Sequence, residues 1–283
     1  MKYGFVLPHG DARTAADSAF VAEQAGWDGF FTWEPVWGVD AWVALTAAAV
    51  RTERIRLGTM LSAVSRMRPW KLASETATLD NLSNGRVILG VGLGAIDSGF
   101  EAFGEVTDRK ARAELVDECL DIVTGLWRGA PFKYEGKHYK IDVNKKTFNM
   151  PPPPPPRQQP RIPIWVVGAW PRSKSMRRVL RCDGLLPNIM GENGQVRMAP
   201  PTPDEIRAIK AFIDSNRTEA TPFDIVVEGK TPGDDRGQSA AIVRPYAQAG
   251  ATWWLEAMWE TPRGAKGLQA LHERIAQGPP LLV

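Results

Sequence analysis

The chain is poor in the residues that cross-link secreted proteins and in those that bind metals. Its 283 residues include only two cysteines, Cys119 and Cys182, and three histidines. Two cysteines do not make a disulfide framework, so we expect both to be reduced structural thiols. No set of histidine, aspartate and glutamate has the spacing of a metal site, and no serine nucleophile elbow occurs. The sequence therefore predicts neither a metal centre nor a serine hydrolase.

Long apolar runs and strong charge of one sign are also missing. A membrane-spanning helix needs a run of about 18 apolar residues, and the sequence has none. Residues 1–10 lack the apolar stretch and the cleavage site of a signal peptide. The net charge is +3, and lysine and arginine are spread along the chain rather than gathered in a block. These absences predict a cytoplasmic protein that binds neither nucleic acid nor a membrane.

What the sequence does contain is a regular alternation of short apolar runs and helical patterns. Eight such pairs are typical of a (β/α)8 barrel (a TIM barrel) or of a doubly wound sheet, and their strict alternation within this length favours the barrel. We expect one domain over residues 1–283. The predicted strands are residues 3–7, 29–33, 56–61, 87–93, 162–167, 184–188, 223–228 and 252–257, and the predicted helices are residues 15–25, 41–51, 69–82, 109–127, 174–181, 203–216, 238–249 and 266–276.

An insertion at about residues 129–161 interrupts this alternation between the fourth helix and the fifth strand. It begins with the pattern FKYEGKHYKI, which predicts a hairpin with its turn near Glu135 and Gly136. Six prolines follow at residues 151–156, and they predict a polyproline II stretch. We interpret this stretch as a rigid spacer across the barrel mouth, with a ligand for a proline-recognition partner as the alternative.

Three glycines at alternate positions end the predicted strand 87–93. Gly90, Gly92 and Gly94 let another group approach the backbone closely. That group is either neighbouring protein or a planar ligand lying against the strand, and we favour the ligand. The GxGxG spacing differs from the GxGxxG of dinucleotide-binding loops, so we do not assign that function.

The segment after the predicted strand 162–167 combines a helix start with cationic side chains. A helix N-terminus offers unpaired N–H groups and the positive end of the helix dipole. Ser173 adds a hydroxyl group, and Arg172 and Lys174 add positive charge. Arg112, early in the fourth predicted helix, is placed to add a guanidinium group. A phosphate seat and an ordinary capped helix with solvated charges both fit this pattern.

A carboxylate lies between two tryptophans after the second predicted strand. Burial between Trp33 and Trp37 at the barrel mouth would raise the pKa of Glu34 and suit it to proton transfer, with an ordinary loop carboxylate as the alternative. We expect His9 and Glu256 to face the same pocket. The chain has eleven tryptophans, several at predicted strand ends. Their number predicts an aromatic-walled pocket.

Residues 54–94 carry the most specific pattern, RIRLGTMLSAVSRMRPWKLASETATLDNLSNGRVILGVGLG. It resembles the central block of the bacterial luciferase-like flavin-dependent oxidoreductases. The shared features are a strand with an apolar end, a proline before the helix, the ETATLD-LS-GR run and a glycine-rich strand. The resemblance continues through FGEVTDRKARAELVDECLDIVTGLW and IPIWVVGAWPRSKSMRRVLRCDG. It covers essentially the whole chain.

The resemblance implies a TIM barrel with an insertion near its mouth. It also implies that reduced FMN, or the related 5-deazaflavin coenzyme F420, binds at the carboxyl ends of the strands. A non-proline cis peptide is expected at Met60-Leu61, behind the ring system of the cofactor. The residues that the resemblance assigns to the cofactor are Met60, Leu61, Gly92, Gly94, Arg112, Gly168, Ala169, Trp170 and Ser173.

Two positions depart from the family pattern. Many relatives carry Asp-His or His-His where this chain has Trp33-Glu34, which puts a histidine-dependent mechanism in doubt. Luciferase itself has a reactive cysteine near the glycine-rich strand end, where this chain has Gly92 and Leu93. Light emission is therefore not supported.

These observations together predict a flavin-dependent monooxygenase that uses reduced FMN and molecular oxygen on a small organic substrate. Glu34 is the predicted proton-transfer residue and His9 the second candidate, while Trp33, Trp37 and Glu256 are predicted to wall the substrate pocket. The first alternative is an F420-dependent hydride-transfer reductase or dehydrogenase. The second is a cofactor-free barrel that acts as a binding protein.

Two partners follow from this prediction. No second nicotinamide-binding domain is recognisable, so a separate flavin or deazaflavin reductase would supply the reduced cofactor. Relatives often pair through their early helices, and Ala44, Ala47 and Ala48 would form a small-residue face for close packing. We therefore expect a homodimer.

Overall fold

The computed structural model describes residues 1–144, 146 and 150–282. Its strands and helices follow the predicted alternation. The strands are β1 (Lys2–Leu7), β2 (Gly29–Thr32), β3 (Arg56–Thr59), β4 (Ser62–Ala63), β5 (Val87–Gly92), β6 (Phe132–Glu135), β7 (Lys140–Val143), β8 (Ile164–Trp170), β9 (Gly184–Ile189), β10 (Asp224–Gly229) and β11 (Trp253–Ala257). The helices are α1 (Ala12–Gln24), α2 (Ala41–Arg51), α3 (Pro69–Leu82), α4 (Arg109–Trp127), α5 (Ser173–Val179), α6 (Pro203–Asn216), α7 (Arg236–Ala249) and α8 (Ala265–Ala276).

Eight parallel strands close into a barrel, which confirms the predicted TIM-barrel fold. The strands lie in the order β3-β2-β1-β11-β10-β9-β8-β5, and pairing of β3 with β5 closes the ring. The short strand β4 follows β3 and pairs in parallel with the end of β5. Strand alternation then turns every second side chain into the barrel.

The apolar core has two layers, one inside the barrel and one between the barrel and its helices. Within the barrel, Phe31 stacks on Trp165 at a ring-centroid distance of 5.4 Å, and Trp253 packs edge-on against both rings. Two of the tryptophans are therefore interior filling rather than pocket wall. The barrel interior comprises Val6, Phe31, Met60, Ile88, Trp165, Leu186, Val226, Trp253 and Leu255.

Side-chain caps explain where several helices begin. Asp11, Asp40, Asp108 and Asp235 each accept a hydrogen bond from the backbone N–H group three residues later. Helix α6 has a threonine cap and a first-turn proline, and its cap is reciprocal with a glutamate. The cap at Asp11 places the start of α1 at residue 12 rather than at the predicted residue 15.

The predicted hairpin is present as β6 and β7, on the outer side of α4. The carboxylate of Glu118 accepts hydrogen bonds from the backbone N–H groups of Lys137, His138 and Tyr139 at 2.8 to 3.1 Å. These bonds fix the hairpin turn to α4. Positions 145 and 147–149 of the predicted insertion lie outside the described residues.

The prediction that the polyproline stretch crosses the barrel mouth is wrong. Its carboxyl-terminal end lies at the opposite face, where Asn81 donates to the Pro155 carbonyl oxygen at 2.9 Å. Gln158 is hydrogen-bonded to Asp80, in the last turn of α3, and to the carbonyl oxygen of Val87 at the start of β5. The stretch ends here because the insertion must return the chain to the amino end of the barrel before β8 begins.

Two of the three alanines predicted to form a small-residue face for dimer formation belong instead to the core, and the third, Ala47, is half-buried. Ala44 and Ala48 are 2% and 0% exposed because this side of α2 packs onto the barrel. The opposite side of α2 carries Val43 and Val50, which are 61% and 70% exposed.

Other expectations from composition agree with the structure. Cys119 and Cys182 are unpaired and buried, and burial raises the pKa of each thiol to about 12. Among the described residues, no helix is long and apolar enough to span a membrane.

A buried carboxylate ties α1 to the segment that leads into β3. Glu23 is 8% exposed and accepts hydrogen bonds from the backbone N–H groups of Glu53, Arg54 and Ile55, at 2.6 to 3.2 Å. Burial pushes its pKa upward, but these donors outweigh burial and lower the pKa below its ordinary value.

We predict that Glu23→Gln lowers the free energy of unfolding by about 1–3 kcal/mol at pH 7, because an amide replaces a charged acceptor. The carboxylate stabilises the fold above its unfolded pKa of about 4.3, and this contribution is lost as the pH falls through the lower folded pKa. Urea unfolding from pH 7 to pH 3 should show the deficit shrinking. The exposed control Glu53→Gln should lose far less, and a deficit that is independent of pH would contradict the prediction.

Candidate active site

A cavity of 1610 Å³ opens at the carboxyl ends of the barrel strands. This is the face at which TIM barrels carry their active sites. Its floor is the top of the barrel interior, where Met60, Val167, Leu186 and Val226 line the cavity. Loops that follow the strands form its walls.

The expected non-proline cis peptide is present between Met60 and Leu61. Both residues line the cavity. The backbone N–H of Met60 donates to the Thr32 carbonyl oxygen at 2.7 Å, and the N–H of Glu34 donates to the Leu61 carbonyl oxygen at 3.2 Å. These two bonds join the loop after β3 to the loop after β2.

Close packing within the chain accounts for the glycines that end β5. A Cβ atom on Gly90 would lie 2.0 Å from the Thr59 carbonyl oxygen, and one on Gly92 would lie 3.0 Å from Leu61. Gly94 has a φ of +81° and approaches Phe100. Gly94 lines the cavity but Gly92 does not. Our preference for a ligand as the cause of all three glycines is therefore corrected.

Positive charge gathers on one side of the cavity, at the starts of α4 and α5. We call this group the cationic cluster: Arg109, Lys110, Arg112, Arg172 and Lys174. Within the described part of the chain, no ion pair joins any of its members to an acid. Helix α4 begins here and adds the positive end of its dipole.

Arg112 is held in place by backbone oxygens. Its Nη1 donates to the carbonyl oxygens of Leu93 and Gly94 at 3.2 and 2.8 Å, and the guanidinium lies 5.5 Å from the ring of Phe100. Its buried Nε has no hydrogen-bond partner among the described residues. Burial and the charge of Arg109 lower the pKa of Arg112.

Only some of the residues predicted to bind phosphate line the cavity. Ala169 and Ser173 line the cavity, whereas Gly168 and Trp170 do not. The reason is that β8 continues to Trp170 instead of ending at residue 167 as predicted. Strand alternation points Ala169 into the barrel and turns Gly168 toward Leu185. It also places Trp170 edge-on against Phe212 at 5.4 Å.

Glu34 lies in the cavity wall, as predicted. Its Oε1 is 3.2 Å from Arg66 Nη2, and the same guanidinium nitrogen donates to the Pro35 carbonyl oxygen at 2.7 Å. Burial raises the pKa of Glu34, while the Ser62 hydroxyl and Arg66 act in the opposite direction. Its Oε2 is buried without a hydrogen-bond partner from the described residues.

Of the other predicted pocket residues, only Trp33 lies in the cavity wall. Its indole N–H donates to the Pro8 carbonyl oxygen at 2.6 Å. Trp37 is 83% exposed and contacts Phe103 outside the cavity, at 6.1 Å between ring centroids. His9 does not line the cavity either, and its Nε2 lies 3.1 Å from the Thr261 carbonyl oxygen.

Glu256 faces away from the cavity, contrary to its predicted place in the pocket. Leu255 belongs to the barrel interior, so its neighbour Glu256 points outward toward the helices. There it is 0% exposed and pairs with Arg274 at 3.3 Å. It also accepts from the Thr231 backbone N–H at 2.7 Å and from the Thr231 hydroxyl at 2.8 Å.

The sequence reasoning missed a second carboxyl group in the cavity, that of Glu228 at the end of β10. The indole N–H of Trp259, which also lines the cavity, donates to Glu228 Oε2 at 3.0 Å. Burial raises the pKa of Glu228. Alternation was the signal that could have found it, because Glu228 lies two residues after the inward-facing Val226.

The closed barrel, the cis peptide and the mouth cavity agree with the family seen in the sequence. A sequence model of the family described as luciferase-like monooxygenase matches residues 2–263. The chain belongs to this family.

Two curated relatives and one solved structure illustrate the range of the family. The chain is 33% identical over 196 residues to a putative coenzyme F420-dependent oxidoreductase of Mycobacterium tuberculosis, covering 66% of this chain and 55% of that protein. It is 32% identical over 169 residues to an F420-dependent glucose-6-phosphate dehydrogenase of Amycolatopsis mediterranei, covering 56% and 48%. The chain thus spans about half the length of these relatives.

The solved structure is the monooxygenase RslO1 from Streptomyces bottropensis. It matches with a TM-score of 0.72 at 19% identity and covers 97% of this chain and 96% of that chain. At that identity the likeness shows the fold alone.

We predict that Arg274→Met lowers the free energy of unfolding by about 3–5 kcal/mol, because it leaves the Glu256 carboxylate buried without its partner. The double variant Arg274→Met/Glu256→Leu should recover part of this loss. Thermal or urea unfolding measures both. Arg263→Met removes an exposed arginine and is the control. A single variant as stable as the control would contradict the structural role of the pair.

Proposed function

We propose that the chain is an F420-dependent oxidoreductase that transfers a hydride between this cofactor and a small organic substrate. The observation that carries the proposal is the cationic cluster, five positive side chains on one side of the cavity, none of which forms an ion pair with an acid among the described residues. A site of this charge suits a ligand with several negative charges. FMN carries a single phosphate monoester, whereas F420 carries a phosphodiester and a tail of glutamate carboxylates.

The residues of the cavity fit such a cofactor. The cationic cluster would hold its anionic part, and Met60, Leu61 and Gly94 would lie against its ring system. Arg112 Nε is a buried donor without a partner among the described residues, and an unmet donor of this kind favours a polar ligand. When bound, F420 supplies or accepts a hydride, while the protein binds, orients and excludes water.

The two curated relatives support this choice, since both are named as F420-dependent enzymes. The second candidate is the FMN-dependent monooxygenase predicted from the sequence. It is favoured by the fold shared with a monooxygenase and by a cavity that would also accept one phosphate. The two candidates differ in whether turnover consumes oxygen.

The partners belong to the same proposal. A separate reductase or dehydrogenase would exchange electrons with the cofactor, and the cytoplasm is the proposed compartment. A homodimer would use the outward side of α2, where Val43 and Val50 are exposed. Light scattering of the purified protein tests the dimer.

We predict that the purified protein binds F420 more tightly than FMN. Arg109→Gln and Lys174→Gln should each weaken F420 binding about tenfold, which corresponds to roughly 1.4 kcal/mol. Fluorescence titration with each cofactor, at low and high salt, measures the affinities, and salt should weaken F420 binding more than FMN binding.

The control is Lys266→Gln, which removes the same charge from α8 outside the cavity. Tighter binding of FMN, together with oxygen uptake during turnover with reduced FMN, would contradict the F420 proposal and favour the monooxygenase.

A further inference from the structure

Three glutamates line the cavity, and the two that are not exposed, Glu34 and Glu228, lie in different electrostatic surroundings. Glu34 has a positive partner, Arg66, at 3.2 Å. Glu228 has no ion-pair partner within the described residues. Its single hydrogen bond there comes from the neutral indole of Trp259. The two carboxyl groups therefore differ in that a positive charge faces Glu34 and a neutral group faces Glu228.

Strand register fixes the direction in which Glu228 points. Ile225 and Val227 pack in the layer between barrel and helices, whereas Val226 lies inside the barrel. Glu228, two residues further on at the carboxyl end of β10, points to the same inward side as Val226 and lines the cavity. Strand β9 separates it from β8, so it enters the cavity from a different wall than the cationic cluster does.

The other charged groups around Glu228 form ion pairs with partners other than Glu228. Lys230, two residues further on, lies 3.8 Å from Glu260. On β11, Glu256 faces the other side of the strand and pairs with Arg274. On the side of β9, the cavity is lined by the neutral Asn188, and Arg197, from the loop after β9, pairs with Glu205.

An uncompensated carboxyl group in such surroundings favours its neutral form. The neutral form has an O–H group that can donate a hydrogen bond. Trp259 occupies Oε2, and Oε1 has no hydrogen-bond partner among the described residues. The group is thus oriented by one oxygen and open to a ligand at the other.

We propose that Glu228 is the residue that exchanges a proton with the substrate, and that the substrate is an uncharged alcohol or ketone whose oxygen contacts this carboxyl group. The proposal rests on the proposed function for its hydride-transfer step. Among the described residues, the cations near Glu228, Trp33 and Trp259 are already paired, Arg66 with Glu34 and Lys230 with Glu260, and the cationic cluster would be occupied by the cofactor. A phosphorylated or carboxylate substrate would therefore lack a positive partner.

The reaction balances in both directions. In reduction, the carbonyl carbon accepts a hydride from reduced F420, and a C–H bond forms. The π electrons of the C=O bond move to oxygen, which takes the proton of Glu228, so that an alcohol and a carboxylate result. The proton that reduced F420 would release on its oxidation would return Glu228 to its neutral form. In oxidation, the Glu228 carboxylate accepts the hydroxyl proton as the hydride leaves the carbon.

The protonation of Glu228 can be measured without any cofactor. Infrared titration in D2O should show a carboxylic acid that stays protonated above the ordinary glutamate pKa of about 4.3, that is absent in Glu228→Gln and that is retained in the control Glu53→Gln, outside the cavity. Trp259→Phe should raise the titration midpoint further, because the indole stabilises the carboxylate. Titration of Glu228 near the ordinary glutamate pKa of about 4.3 would overturn the proposal.

Turnover supplies the second test. With reduced F420 and a panel of neutral ketones, Glu228→Gln should lower kcat at least about 100-fold while the affinity for F420 stays unchanged. The wild-type rate of reduction should fall as the pH rises through the Glu228 midpoint, and Glu228→Gln should lose this dependence. An unaltered pH profile, or a preference for phosphorylated substrates, would overturn the proposal. Failure of the wild-type protein to bind F420 would instead contradict the cofactor, and the infrared titration would still decide the state of Glu228.

Discussion

Closure of the barrel fixes the register of its strands, and the register decides which side chains reach the active-site cavity. Because side chains alternate with a period of two, a neighbour in sequence always faces the other side of the strand. Val226 and Glu228 thus point inward on β10, while Glu256 on β11 points outward into a buried ion pair. The same constraint turns Ala169 toward the cavity and Trp170 toward the helices. The set of chemical groups that line the barrel mouth follows directly from this alternation.

The positive and negative side chains of the cavity also lie on different walls. The starts of α4 and α5 bring cations together on one side, and burial leaves two carboxyl groups on the other walls. Glu34 keeps a counter-charge and Glu228 does not. In the proposed function, such a cavity would bind the anionic cofactor on one wall and move the proton on another, so that the cations and the carboxyl group do not neutralise each other.

The sequence predicted the fold well because its signals are local. Apolar runs and helical periodicity mark the strands and helices, capping residues mark several helix starts, and eight repeats of one unit favour one architecture. The motif in residues 54–94 led to the cis peptide at Met60-Leu61, which the structure contains. The position of the polyproline stretch was wrong because the residue that follows it, Gln158, is held by Asp80 and Val87, more than 70 residues away along the chain.

The candidate site was harder to predict because partners and orientation are not local. Nothing near Glu256 in sequence shows that Arg274 and Thr231 enclose it, and nothing near Glu34 shows that Arg66 faces it. Ala44 and Ala48 were misplaced because small residues suit a helix–barrel contact as well as a contact between two chains. Glu228 is the exception. It was missed, although alternation along a correctly predicted strand would have been sufficient to place it in the cavity.

The pair formed by Glu256 and Arg274 also has a consequence for the order in which the protein is assembled. Arg274 donates to the carbonyl oxygen and the hydroxyl of Thr231, a residue 43 positions earlier that follows the strand carrying Glu228. When β10 leaves the ribosome, the arginine that anchors its loop has not yet been synthesised. The loop that follows β10 therefore becomes anchored only after α8, at the end of the described chain, has been synthesised and has packed against the barrel.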